Sequence, residues 1–170
     1  MSDLWVFGYG SLIWRPGFSF AERAKGRLAG YHRSLCVRSH VHRGTPERPG
    51  LVFGLDRGGS CVGMAFRVEA ALAEATIHYL RERELVTHVY RETTLPVRLE
   101  DGRLVRALAY VVDRGHSQYA GRLSASEAAH MVARSHGRSG PNTEYVTSAL
   151  GEIRALGLSD SWLEEVVARL

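Results

Sequence analysis

The sequence predicts an α+β fold: a small curved or closed sheet with helices against it. Three observations lead there. β-Branched and aromatic runs punctuated by glycine fill the first two-thirds of the chain. The pair Asp101-Gly102, between two such runs, is the strongest hairpin signal present. Helix-period patterns fill the last third, beginning at the capping box Ser124-Ala125-Ser126-Glu127.

In chain order, Leu4 to Phe7 reads as a buried strand. It stops at Gly8-Tyr9-Gly10-Ser11. Two glycines around one residue let the backbone turn tightly and take positive φ, so that successive N–H groups point into a common hollow suited to a carboxylate or phosphate oxygen. A glycine-rich strand end without a ligand is the competing reading. Three familiar loops are excluded. Ile13 stands where a dinucleotide fingerprint needs its third glycine, no Gly-Lys-Ser/Thr follows, and Tyr9 and Ile13 replace the glycines of a nucleophile elbow around Ser11.

Arg15-Pro16-Gly17 forces a turn, and Gly26 to Ser39 is strand-like. His40 to Gly50 carries two prolines and two glycines and reads as a long loop in which Glu47 and Arg48 are solvated. Leu51 to Leu55 and Cys61 to Val68 are expected as two strands joined by a hairpin turn at Asp56-Arg57-Gly58-Gly59-Ser60. A helix is expected from Glu69 to Arg83, with Leu72, Thr76, Tyr79, Leu80 and Arg83 near one stripe. Val89 to Leu99 and Arg103 to Val112 form the next strand pair. The helix opened by the capping box reaches about His136, and Gly137-Arg138-Ser139-Gly140-Pro141 breaks it. Asn142 or Thr143 is expected to cap the following helix. Asp160 or Ser161 starts a last amphipathic one with Trp162, Val166 and Leu170.

Length fits one domain over residues 1–170. The net charge of +4 is modest and its arginines are scattered; no contiguous basic stripe or set of stacking aromatics marks a nucleic-acid binder, despite a pI near 9.4. No apolar run approaches the ~20 residues of a membrane helix, and Met1-Ser2-Asp3 lacks the pattern of a signal peptide. Cys36 and Cys61 are the only cysteines, which points to a reducing compartment and a cytoplasmic protein without nucleic-acid or membrane partners.

Among residues able to do chemistry, Glu84 ends the run Tyr79-Leu80-Arg81-Glu82-Arg83-Glu84. A solvated face of i,i+4 charge pairs accounts for such a run. In the last helical turn, however, the dipole disfavours negative charge, and partial burial would raise the carboxyl pKa further, toward what a general base near neutrality requires. His40-Val41-His42 places two imidazoles on one strand face with no third ligand spaced to join them, so no metal site is assigned. Tyr145 sits one turn inside the helix that follows Asn142, and either packs or reaches a pocket.

Assembled, these residues resemble the ChaC family of γ-glutamylcyclotransferases over nearly the whole chain. The resemblance rests on Val6-Phe7-Gly8-Tyr9-Gly10-Ser11-Leu12-Ile13-Trp14, His42-Arg43-Gly44-Thr45-Pro46 with Pro49-Gly50, Tyr79-Leu80 to Arg83-Glu84, and Ser139-Gly140-Pro141-Asn142-Thr143-Glu144-Tyr145. It implies a small mixed β-barrel, or curved sheet, with flanking helices. It implies cleavage of glutathione to 5-oxoproline and Cys-Gly without a cofactor, the substrate's α-amine attacking its own γ-carbonyl. Glu84 matches the family's catalytic glutamate, with Glu82 as the nearest rival. Tyr9, Gly10, Ser11 and Leu12 match its substrate loop, and Tyr145 would line the same pocket. Leu85-Val86-Thr87-His88 resembles the bacterial members, which bears on peptide preference. Two alternatives stand beside this: a cyclotransferase for another γ-glutamyl amine or dipeptide, and a non-catalytic regulator of cation transport on the same scaffold.

Overall fold

In a computed structural model of the chain, which describes residues 2–170, five strands close into a barrel in the order β1-β3-β2-β4-β5. The elements begin with β1 (Leu4–Gly8), a single helical turn α1 (Ser11–Trp14), β2 (Glu22–Ser39) and β3 (Gly50–Val68). They continue with α2 (Ala70–Glu84), β4 (Tyr90–Leu99) and β5 (Leu104–Val112). The remainder is α3 (Ala125–Ala133), the two-residue strands β6 (His136–Gly137) and β7 (Gly140–Pro141), α4 (Asn142–Ala155) and α5 (Ser161–Ala168). The contacts gather into two compact units within the 1–170 stretch read as one domain. The first takes the chain up to Arg33 and Leu55–Asp113, the second Ser34–Gly54 and Arg114–Leu170.

In the first unit β1 is a central strand. It pairs antiparallel with β3 from Leu4↔Val68 to Gly8↔Met64 and parallel with β5 at Trp5↔Ala107 and Val6↔Leu108. Pairing on both edges explains the apolar run. β4 and β5 form the expected hairpin, in register from Tyr90↔Val112 to Arg98↔Leu104, and Gly102 takes φ +95° in its turn. Val6, Leu12, Val68, Leu80, Leu108 and Tyr110 make a buried core that Phe18, Tyr79, Leu85 and Tyr90 extend.

The hairpin expected at 56–60 is absent, because β3 runs unbroken through it. Gly58 and Gly59 take φ of +106° and +65°, but the bend stays within the strand because β2 continues beside it. His32 Nδ1 lies 3.0 Å from Gly58 O, and Arg27 Nη1 donates to Ser60 Oγ at 3.2 Å. Turn-forming residues here supply curvature for a barrel strand. The stripe of α2 also shifts: Ala73, Thr76 and Leu80 are buried, whereas Leu72 is 43% exposed.

In the second unit α3, α4 and α5 pack on one another through residues such as Ala128, Val132, Val146, Leu150, Ile153, Leu163 and Val166. Both halves of the Ser124–Glu127 capping box form, but α3 ends at Ala133, three residues short of His136, which enters β6. Neither Asn142 nor Thr143 caps α4; Pro141 holds that position, its fixed φ of −63° suiting the entry to a helix. Asn142 is instead fully buried. Its Oδ1 accepts from Leu51 N–H at 2.8 Å and its Nδ2 donates to Leu51 O at 2.9 Å, so the amide stands in for a neighbouring strand. Asp160 caps α5 as expected, accepting from Leu163 N–H at 3.0 Å. Its buried side chains are Leu163 and Val166, while Leu170 is 41% exposed. Glu47 and Arg48 are solvated in the 40–49 loop.

Candidate active site

β1 delivers the glycine loop to the end of the strand, and α1 folds back over it. Neither Gly8 nor Gly10 takes positive φ, contrary to the expectation from their spacing; Gly10 has φ −133°. Gly8 is there for closeness: a Cβ on it would lie 3.0 Å from Leu12 Cβ and 3.4 Å from Ile13 N. The turn closes through Ile13 N–H to Gly10 O at 2.9 Å and Arg15 N–H to Ser11 O at 2.7 Å. In such a first turn the N–H groups of Ser11 and Leu12 have no intrahelical acceptor.

Tyr9 and Leu12 are buried, the latter in the core cluster, so the loop is anchored from below. Arg33, itself buried, donates from Nε to Tyr9 O at 2.5 Å and from Nη2 to Val62 O at 2.8 Å. The far side of the loop is held by Arg83, whose Nη2 donates to Ser11 Oγ at 3.0 Å.

Helical periodicity places Glu84. It lies four residues after Leu80 and eight after Thr76, so it continues the buried stripe of α2 inward. Its side chain is 16% exposed. Burial pushes the carboxyl up from its ordinary 4.5, and the positive charge of Arg83 opposes that with smaller effect; Arg83 Nε lies 3.6 Å from Glu84 Oε1. Glu82, the rival carboxylate, is 70% exposed and pairs with the similarly exposed His78 at 3.2 Å. It is the solvated i,i+4 pair that the charge run allowed.

Around Glu84 stands a further polar group. Tyr110 Oη, inside the core cluster, donates to Glu92 Oε1 at 2.9 Å, and Arg81 grips both oxygens of Glu92 at 3.0 and 2.9 Å. Burial first, then the Glu92 bond and charge, and lastly the charge of Glu84 push the Tyr110 phenol well above its usual range. Tyr110 is therefore neutral, and Glu92, held low mainly by Arg81, is ionised.

Thus the first unit brings Tyr9, Gly10, Ser11 and Leu12 together with Glu84 through Arg83. Tyr145 belongs to the second unit. There its ring lies 5.7 Å from that of Phe53, its hydroxyl accepts from Phe53 N–H at 3.3 Å, and the Arg43 guanidinium stands 5.5 Å from its centroid. Among the described residues no three His, Cys, Asp or Glu side chains gather as a metal site requires, and His42 Nδ1 lies 3.2 Å from Ser139 Oγ. Among the described residues no helix is long and apolar enough to cross a membrane.

Arg33, Tyr110 and Glu92 escape sequence reasoning. Arg33 looks like one arginine in a scattered set, and the last six residues of β5 are continuously buried, so no alternation singles out Tyr110. Arg83 does leave a signal, a cation on the half-buried stripe of α2.

A family model described as ChaC-like protein matches residues 4–170. A glutathione-specific gamma-glutamylcyclotransferase of Escherichia coli (strain K12) is 35% identical over 164 residues, covering 96% of this chain and 71% of its own length. Glutathione-specific gamma-glutamylcyclotransferase 1 of Danio rerio is 36% identical over 149 residues, covering 85% and 76%. Among solved structures, a γ-glutamyl cyclotransferase specific to glutathione from yeast superposes with TM-score 0.88 at 22% identity, covering 99% of this chain and 96% of its own; that likeness is one of fold.

Proposed function

The chain belongs to the ChaC-like protein family, and from that premise we propose that it is a γ-glutamylcyclotransferase that cleaves glutathione to 5-oxoproline and Cys-Gly. The relatives named for glutathione support the substrate. The observation that carries the mechanism is Glu84, a largely buried carboxylate of raised pKa whose neighbour Arg83 bonds to Ser11 of the glycine loop.

Glutathione offers its α-ammonium as the masked nucleophile. Glu84, ionised, takes a proton from it, and the freed amine attacks the γ-carbonyl carbon. A five-membered lactam closes as the bond to the cysteinyl nitrogen breaks. Overall two protons leave the α-nitrogen and two arrive on the cysteinyl nitrogen, with Glu84 as the carrier. The raised pKa matches it to both acceptance and return of a proton near neutrality. Ring closure is intramolecular, so holding the glutamyl chain bent supplies much of the acceleration.

In this reading the amides of the Tyr9–Leu12 loop receive the α-carboxylate, and the resemblance assigns Tyr145 to the substrate as well. With two cysteines and no disulfide framework in its sequence, the chain fits a cytoplasmic location in this reading. Release of 5-oxoproline from glutathione is the test, comparing the native chain with Glu84→Gln. Native turnover and a loss of roughly 10²–10⁴-fold in the variant are expected. Glutathione blocked at its α-amine should give no product. Turnover of the blocked peptide would refute the cyclisation, and activity surviving in Glu84→Gln would remove Glu84 as the base.

A further inference from the structure

Arg83 takes no proton in the reaction above, yet it touches both parts of its site. Nη1 donates to Arg15 O at 2.7 Å, to Pro16 O at 3.1 Å and to Tyr79 Oη at 3.1 Å. Nη2 donates to Ser11 Oγ at 3.0 Å, and Nε stands 3.6 Å from Glu84 Oε1. The side chain is only 21% exposed. A guanidinium carries five N–H donors in a rigid fork, so one residue can hold several acceptors in fixed relation. Three of the four acceptors here lie on the 11–16 segment, and the carboxylate that Nε faces belongs to the next residue of α2. Gly17 allows the close approach: a Cβ on it would lie 2.0 Å from Tyr79 Oη and 3.4 Å from Arg83 Nη1.

We propose that Arg83 is a positioning residue of the cyclisation, clamping the 11–16 segment onto the end of α2 and so setting the distance between the loop amides and Glu84. The assignment rests on the function proposed above. The cyclisation needs the α-carboxylate fixed at one point and the base on the neighbouring ammonium, so the spacing of the two parts must stay constant through the reaction. Arg83 bonds the helix to this segment at two backbone carbonyls and one hydroxyl.

The charges around Glu84 make a second readout. Arg83 is the cation that acts on it from its own helix. From β5, Tyr110 faces it as a neutral phenol, tied to Glu92 of β4, whose charge Arg81 meets. From α1 the nearest polar side chain on Arg83 is Ser11, which does not titrate.

The test uses Arg83→Lys and Arg83→Met in the full chain, with kcat and KM for glutathione followed across pH, and hydrogen exchange of the amides of residues 11–17. Lysine keeps a charge but loses the fork; methionine keeps the stem and loses both. In both variants KM should rise about tenfold or more, and the loop amides should exchange faster. In Arg83→Met alone the acid limb of kcat/KM, which reports the free base, should move to higher pH. Native KM and an unmoved acid limb in Arg83→Met would overturn the proposal. So would equal losses in the two variants with the limb in place, since that pattern belongs to a merely structural arginine. If the native chain releases no 5-oxoproline from glutathione, it is the parent reading that fails. The exchange measurement then decides the clamp by itself: faster exchange at 11–17 sustains it, and native rates refute it.

Discussion

Replacing Gly17 by alanine should unfold part of the logic of the site, and the size of the effect can be worked out. Gly17 sits at φ +75°, where an L side chain costs about 1–2 kcal/mol. The added Cβ would lie 2.0 Å from Tyr79 Oη and 2.8 Å from Tyr79 Cζ, against 3.4 Å for ordinary contact, so the phenol must retreat by about 1.4 Å. Overpacking of that kind costs a further ~1–3 kcal/mol. A total near 3 kcal/mol lowers Tm by roughly 6–12 °C in a chain of this size. Urea unfolding of the native chain, Gly17→Ala, Tyr79→Ala and the double variant separates the two parts. The collision exists only when both side chains are present, so the cycle should show a coupling of about 1–3 kcal/mol, leaving the backbone cost in the Tyr79→Ala background. Since Tyr79 Oη also accepts from Arg83 at 3.1 Å, KM for glutathione should rise in Gly17→Ala as well. Additivity within ~0.5 kcal/mol would refute the steric argument.

Two further outcomes follow from burial. Asn142→Ala should cost about 2–4 kcal/mol in urea unfolding, because it strips both partners from the Leu51 peptide in a fully buried place; a loss under ~0.5 kcal/mol would show that this backbone finds other partners. Glu84 should make stability depend on pH in the direction opposite to most carboxylates. Burial raises its folded pKa above the ordinary 4.5, so the folded chain binds the proton more tightly, and the stability this confers is present below the unfolded value and lost as pH rises through the folded one. The native chain should therefore lose stability across that window relative to Glu84→Gln, which has nothing to titrate; parallel stability–pH curves would contradict the burial of a charge.

The parts legible in the sequence were those with local causes. The capping box at Ser124, the Asp101-Gly102 hairpin and the Asp160 cap each need only neighbouring residues, and each forms as read. The misreadings have non-local causes. Asp56 to Ser60 has the chemistry of a reversal, but with β2 alongside it becomes a bend within one continuous strand. Asn142 has the chemistry of a cap, but the bare Leu51 peptide claims its amide. Glu84 was legible only as a choice between a solvated charge run and partial burial, and the packing of α2 decides it at 16% exposure. Arg33 and Tyr110 matter through what lies opposite them in space, which a single sequence does not display.

The same distinction explains why this loop needs arginines. A Gly-Tyr-Gly-Ser stretch is cheap to bend and correspondingly expensive to hold still, since glycine gives up the most conformational freedom on ordering. The glycines bring no side chain to pack, and Gly8 is there because Leu12 leaves no room for one. Anchorage must then come from groups that reach in from elsewhere and bond to the backbone or to Ser11. Arg33 does so at Tyr9 O, from the barrel side, and Arg83 does so at Ser11, Arg15 and Pro16, from the helix side. With both in place the loop is ordered before substrate arrives, so substrate binding need not order it. In the cyclisation proposed above, where the protein supplies geometry and one proton carrier, that prior ordering would contribute to the acceleration.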